Sequence, residues 1–214
     1  MEIHPPRPVA SVKEFLRELL TITAGILIAL SLEGLLQWNH HRELVREART
    51  AVTSELGENR RELAKEEQAL GGMQQDIRKI IDLVHQLELH PRMPVGSIHY
   101  GFTLTELHST AWDTARTTGA VSYMPYQEVE RYTQVYDLQH DFEELQQRAF
   151  ASSLDMQALS TLLDRKAGTI SRAELSDAER RLGVLLANVV AMQQIAKPLE
   201  DRYTKMLNVT SEQR

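Results

Sequence analysis

From Leu19 to Leu36 the chain reads LLTITAGILIALSLEGLL, eighteen positions among which only Glu33 is charged. Apolar residues occupy every side of a helix built from this run, so no face is left for water. At about 1.5 Å per residue such a helix is roughly 27 Å long, close to the hydrocarbon thickness of a bilayer. The pattern predicts a membrane-spanning helix over residues 15–38, with Phe15 and Leu16 extending its front, Leu19, Ile26, Leu30 and Leu36 along its length and Trp38 at its end. Trp38 is followed by Asn39, His40, His41 and Arg42, which suit the headgroup layer, and Glu33 lies close enough to reach that layer.

Beyond Trp38 the pattern becomes one-sided. Val52, Leu56, Asn59, Leu63, Glu66, Leu70, Met73, Ile77, Ile80, Val84 and Leu87 are separated by alternating steps of four and three, the heptad spacing of a long helix in a coiled coil or bundle. Such a helix is expected over 39–90. Leu56, Leu63, Leu70, Ile77 and Val84 form one wholly apolar row, whereas Asn59 and Glu66 interrupt the other and make its first half the weaker seam. Two packings use this spacing: a bundle of the chain's own helices, or a parallel homodimer with Leu56, Asn59, Leu63, Leu70, Ile77 and Val84 as its seam. Gly71-Gly72, at about 1 kcal/mol per glycine relative to alanine, predicts a kink or the close approach of a neighbour. The ladder resumes in phase, which argues against a chain reversal there.

Pro91, Pro94, Gly96 and Gly101 mark a break. A short helix capped by Thr103 or Thr105 is expected to run to about Thr118 and to end at Gly119. After a second break at Ala120 to Met124, Pro125 opens a long helix from Tyr126 to about Lys166, with Val129, Tyr132, Tyr136, Phe142, Leu145, Ala149, Leu159 and Leu162 facing inward. Ser176-Asp177-Ala178-Glu179 fits a capping box for a last helix through Leu182, Leu185, Leu186, Val189, Met192 and Ile195, which Pro198 is expected to kink or interrupt before Leu207. No segment has the pattern of a strand. The expected fold is all-α: an N-terminal transmembrane helix, a long heptad-patterned helix and an antiparallel helical bundle. Its divisions are a short N-terminal tail (1–14), the span (15–38), the coiled-coil-like helix (39–90), the remaining bundle (91–208) and a C-terminal tail (209–214).

Charge and composition narrow the function. Thirty acidic residues against 24 basic ones give a net charge of −6, which lacks the basic surface that phosphate neutralisation needs, so no nucleic-acid partner is expected. The absence of cysteine rules out disulfides, thiolate metal sites and a cysteine nucleophile. Arg7, Lys13 and Arg17 precede the span and Arg42, Arg46 and Arg49 follow it, so the positive-inside count is a tie. A short leader favours a signal anchor with its N-terminus inside.

Candidate chemistry is sparse. Gly168 to Leu175 copies the second half of an EF-hand loop, ending on Glu174, but the positions that should supply the first ligands are Leu163, Arg165 and Ala167. A plain turn capped by Ser171 or Ser176 is expected instead. Asp137, His140, Asp141 and Glu144 share one helical face, which is expected to be a solvated charged stripe because no Glu-x-x-His motif exists to face it. His85, His90, His99 and His108 are scattered, and no catalytic motif or phosphate-binding loop is present, so neither cofactor, metal nor enzymatic activity is expected. The segment Thr110 to Met124 joins small residues and hydroxyls to Trp112 and precedes an aromatic cluster; Trp112, Arg116, Tyr123, Tyr126 and Tyr136 are its candidate pocket or interaction residues, with core packing as the alternative.

The run Thr23-Ala24-Gly25-Ile26-Leu27-Ile28-Ala29-Leu30, the glutamate-rich helix opening Glu55-Leu56-Gly57-Glu58-Asn59-Arg60, and the Ala111-Trp112-Asp113-Thr114-Ala115 region through Tyr136 together resemble uncharacterised bacterial single-span membrane proteins that carry a domain of unknown function. The resemblance covers about two-thirds of the chain and rests on structural motifs. It implies a bacterial inner-membrane protein with a helical domain, here expected in the periplasm, and no catalytic residue. The expected partners are the lipid bilayer, an unidentified protein and, if the seam is intermolecular, a second copy. A scaffold or accessory subunit acting through protein contacts is the leading expectation. The alternative is a ligand-sensing bundle, which with only a short tail before the span would signal through a membrane partner.

Overall fold

A computed structural model describes residues 12–94, 101–102, 104–163 and 168–212, with backbone alone for 155–163 and 210–212. The proline-rich leader, Gly96, His99, Thr103, Arg165, Lys166, Ala167, and the side chains of Leu159 and Leu162 lie outside the described residues. Among those described there are only helices: α1 (Val12–Leu89), α2 (Thr110–Thr117), a 3₁₀ turn (Ala120–Tyr123), α3 (Tyr126–Leu163) and α4 (Arg172–Glu212). The chain divides into two compact units, Met1–Glu47 and Ala48–Arg214, and α1 contributes to both.

In the first unit every residue from 12 to 40 is exposed, including Leu19, Ile26, Leu30, Leu36 and Trp38. None of the most apolar window of α1 is buried, and that window is long and apolar enough to cross a membrane. Its hydroxyls turn inward on the helix itself: Thr21 donates to the Arg17 carbonyl at 2.9 Å and Ser31 to the Leu27 carbonyl at 2.6 Å. Gln37 donates to Glu33 at 3.3 Å. The Arg42 guanidinium lies 4.6 Å from the centre of the Trp38 ring, a cation–π contact that joins an amphipathic aromatic to a long cationic side chain.

The second unit buries the heptad ladder. Val52, Leu56, Asn59, Leu63, Glu66, Leu70, Met73, Ile77, Ile80, Val84 and Leu87 are all buried within the single chain, so the row proposed as a dimer seam is covered by the chain's own helices. Contacts between α1 and α3 keep a nearly constant offset, Arg49 with Glu128, Glu55 with Tyr136 and Asn59 with Gln139. These two helices are therefore parallel. Helix α4 is antiparallel to α3, through Gln134 with Arg202, Gln139 with Tyr203 and Ser152 with Asn188. Arg60, 4.0 Å from Glu200, joins α1 to α4.

Two consecutive long helices can run parallel only if the link between them travels the full length of the shared segment. Residues 104–109 are non-helical, and they lead the chain back along α1: Thr105 meets Glu66, His108 meets Asn59 and Ala111 meets Glu55. The helix expected from Thr105 accordingly starts later, at Thr110, because the Thr105 hydroxyl donates to Glu66 instead of capping a first turn. Gly119 then ends α2 at a φ of 78°, a left-handed conformation that glycine adopts without a Cβ clash.

The inward stripes differ from expectation in detail. On α3 the buried positions among the described side chains are Glu128, Tyr132, Val135, Tyr136, Gln139, Phe142, Gln146, Ala149 and Ser153, while Val129 and Leu145 are half-buried. On α4, Leu175, Ala178, Leu182, Leu185, Val189, Met192, Ala196, Leu199, Tyr203 and Met206 alternate steps of three and four, leaving Leu186 and Ile195 half-buried. This helix is also long and apolar enough to cross a membrane, but a third of its window is buried as the stripe of the bundle. It begins one turn before the expected box: Ser171 and Glu174 cap each other, with the Ser171 N–H donating to Glu174 at 2.8 Å and the Glu174 N–H to the Ser171 hydroxyl at 3.3 Å. Glu174 thus serves the cap, and Asp177 pairs with Arg180 and Arg181, which hold its carboxyl below the usual range.

Pro198 does not interrupt α4. It sits on the exposed face, so the Gln194 carbonyl that loses its helical donor also lies on the wet side. Among the described residues nothing approaches Gly71 or Gly72, since a Cβ at either would meet no atom within 4 Å, and α1 stays helical through both. Gly72 is exposed and helical, so Gly72→Ala is expected to stabilise the protein by about 0.5–1 kcal/mol. Gly119→Ala must hold a non-glycine residue at positive φ and is expected to cost about 1–2 kcal/mol. Denaturant midpoints of the two variants in detergent should move in opposite directions.

Candidate functional site

Three side chains of α1, Glu55, Asn59 and Glu66, hold the returning segment. Asn59 makes a two-point contact with the backbone of His108: its Nδ2 donates to the carbonyl at 2.6 Å and its Oδ1 accepts from the N–H at 2.9 Å. Glu55 accepts the Ala111 N–H at 2.8 Å, placing a carboxylate at the first turn of α2, where orphan N–H groups and the helix dipole favour negative charge. Its other oxygen accepts the Tyr136 hydroxyl at 2.7 Å. Glu66 accepts the Thr105 hydroxyl at 2.6 Å.

Behind this contact lies a buried polar network. Gln139 receives Asn59 at 3.1 Å and the Tyr203 hydroxyl at 2.8 Å on its oxygen, and its nitrogen donates to the His108 carbonyl at 3.2 Å and to Glu143 at 2.9 Å. One amide therefore bonds to residues of α1, α4, the returning segment and its own helix. Burial, followed by the adjacent Glu55, raises the Tyr136 phenol far above its ordinary value; burial, Glu143 and Glu55 do the same for Tyr203. Both hydroxyls stay protonated donors. At the start of α3, Arg49 forms a bidentate pair with Glu128 at 2.6 and 2.7 Å.

A groove of about 430 Å³ opens between α2 and α3 beside this network. Trp112 and Tyr136 form its inner wall, their rings stacked 5.7 Å apart and 2° from parallel, with Tyr132 against Trp112 at 5.5 Å. Asp113, Asp137 and Glu143 line it against a single fully charged cation, Arg116, whose guanidinium is 3.6 Å from Asp113. The excess negative charge suits an ammonium or guanidinium group. Ser109 donates to Asp113 at 3.2 Å and His140 lies 3.5 Å from Glu144, so these polar groups pair with carboxylates of the groove and its rim.

Of the candidate residues, Trp112, Arg116 and Tyr136 come together in the groove. Tyr123 and Tyr126, 51% and 81% exposed, do not line it. Glu55, Gln139 and Tyr203 complete the network without having been flagged by any motif; the available signal was their placement beside or within the heptad stripes. No protein-family model, curated protein or solved structure matches the chain.

One member of the network is incompletely satisfied. Glu66 is 3% exposed and its Oε1 has no hydrogen-bond partner among the described residues, and neither has the buried Nε2 of Gln146, seven residues on from Gln139. Burial pushes the Glu66 carboxyl above its usual range, against the opposing pull of the Thr105 hydrogen bond. A raised folded-state value means that Glu66 favours folding at pH below the ordinary carboxyl range, and that this contribution is lost as pH climbs through the raised value. Glu66→Gln keeps the shape without the charge. It is expected to raise the melting temperature by about 2–4 °C per kcal/mol gained at pH 7, with the gap from wild type closing as pH falls toward 4. Melting curves across that range provide the measurement.

Proposed function

We propose that this chain is a single-pass protein of a bacterial inner membrane, anchored by α1 through an N-in signal anchor, whose helical bundle faces the periplasm and acts through protein contacts as a scaffold or accessory subunit. One observation carries the reading. The apolar run of α1 exposes large side chains on all sides, from Leu19 at 49% to Leu36 at 73%, while the ladder of the second unit is already buried internally. Ten such side chains, at about 1.5–3 kcal/mol each for full burial, make water an unacceptable surrounding by tens of kcal/mol. The internally bonded hydroxyls of Thr21 and Ser31 and the Trp38–Arg42 pair are in keeping with hydrocarbon along the run and an interface at its end.

The groove favours a second reading, a ligand-sensing bundle that signals through a membrane partner, its acid-lined mouth and aromatic wall admitting a small cationic group. On that reading a polyamine raises the melting temperature of the wild type and not of Asp137→Asn.

The anchor is tested by alkaline carbonate extraction of cell membranes. The wild type is expected to remain in the pellet, and Leu27→Arg with Ile28→Arg, at about 2.5–3.5 kcal/mol per charge in mid-span, to shift to the supernatant. A reporter enzyme active only in the periplasm, fused at the C-terminus, is expected to be active. Wild type released by carbonate overturns the anchor; a silent reporter on a pelleted protein overturns the orientation alone.

A further inference from the structure

Where α1 nears its end and α4 begins, the antiparallel pairing of these two helices brings together residues far apart in sequence. His85 and Glu88 are three residues apart and share a face of α1, flanking the buried Val84 and Leu87. Glu179 follows the buried Ala178 on α4. One ligand atom from each of the three lies within 4.8 Å of the others. Glu88 and Glu179 are half-buried and His85 is exposed, and among the described residues none of the three has a hydrogen bond or ion pair. Two carboxylates are thus held close together across a helix seam. The imidazole beside them adds a nitrogen donor that electrostatics alone would not require.

We infer that His85, Glu88 and Glu179 bind a divalent first-row transition ion of zinc's chemistry, which clips the end of α1 to the start of α4. One nitrogen and two carboxylate oxygens match the donor preference of zinc, whereas calcium takes six to eight oxygens and magnesium keeps most of its water. Metal–ligand bonds of about 2.0–2.2 Å place neighbouring donors roughly 3–4 Å apart, so side-chain rotation within the present helix positions closes the site. Two carboxylates and an imidazole also neutralise a dication exactly once, and the exposed side of His85 leaves a path for entry and for water as a further ligand. The site stands at the end of the bundle where Gly168, at a φ of 85°, passes Arg92, a Cβ at this glycine being 3.6 Å from the arginine stem. Binding would therefore tie together the helices that enter and leave those two turns.

The test uses the full-length protein in detergent, stripped with chelator and titrated with zinc chloride in a calorimeter. One tight equivalent is expected, with micromolar or stronger affinity and a rise in melting temperature. His85→Ala and Glu179→Gln should each weaken it by roughly tenfold or more, while the double variant His40→Ala with His41→Ala retains it. Circular dichroism of Glu179→Gln checks that the bundle is intact, and X-ray absorption of the loaded wild type should give a nitrogen and oxygen shell containing one imidazole. The inference is overturned by a wild type that takes up zinc only weakly and without saturation. It is equally overturned by a tight equivalent that His85→Ala and Glu179→Gln leave unchanged.

Discussion

The two hydrogen bonds between the Asn59 amide and the backbone of His108 are the contact on which the bundle's topology rests. A peptide that lies against a helix in a partly buried crevice has no ladder partner for its N–H and carbonyl, and each unmet group costs about 1–3 kcal/mol. Asn59 supplies one donor and one acceptor in the spacing that a neighbouring strand would offer. Glu55 supplies an acceptor to the Ala111 N–H in the first turn of α2, for which Ser109 provides no side-chain cap. With the returning segment fixed at these points, α3 begins beside Arg49 and has to run parallel to α1. The Arg49–Glu128 pair then locks the start of α3 in register.

The register is also written into the layers of the core. Asn59 meets Gln139 at an offset of eighty residues, and the same heptad rows carry Glu66 on α1 and Gln146 on α3. Apolar layers above and below, which repeat with the heptad, tolerate a one-heptad slip. The polar layer does not. A slip would separate Asn59 from His108 and Gln139 from Tyr203, leaving several buried donors and acceptors unpaired at once. The interruptions that weaken this helix as a simple coiled-coil seam thus make it specific as a bundle element. Glu66 sits in the neighbouring layer with an oxygen unpaired, so specificity there is bought with an ionisable group whose charged form burial opposes.

All eleven rungs of the α1 ladder were legible in the sequence, because burial on a helix follows period and period is visible in residue type. The breaks at Pro91 and Gly119 and the opening of α3 after Pro125 were legible for similar reasons, each depending on local backbone chemistry. What periodicity does not carry is the identity of a partner. Thr105 looks like a cap until Glu66, thirty-nine residues earlier, claims its hydroxyl. Gln139 and Gln146 look like surface residues beside Leu145, yet the helix turns both inward, Gln139 to meet Asn59 on α1. Ser171 and Ser176 each precede a glutamate by three residues, and local sequence gives little to choose between the two boxes. Pro198 reads as a breaker only while its exposure is unknown. The groove was half legible: Trp112, Arg116 and Tyr136 stand together, while Tyr123 and Tyr126, equally aromatic, fall outside its lining.

Helix α1 contains two kinds of amphipathic logic in one uninterrupted element. From residue 48 onward a single stripe is apolar, and one set of partner helices satisfies it. Ahead of that, Leu19, Leu20, Ile22, Ile26, Leu27, Ile28 and Leu30 point around the full circumference and are all exposed. A bundle partner can cover only one side of a helix, so packing against a protein face would leave the opposite side in water. A medium that contacts every side equally removes this difficulty, and a hydrocarbon layer is such a medium. It also makes a demand on the few polar side chains present, that they satisfy themselves locally, which Thr21 and Ser31 do through carbonyls one turn back. The patterning changes from all-round to one-sided after Trp38, and the Trp38–Arg42 contact stands where the two patterns meet.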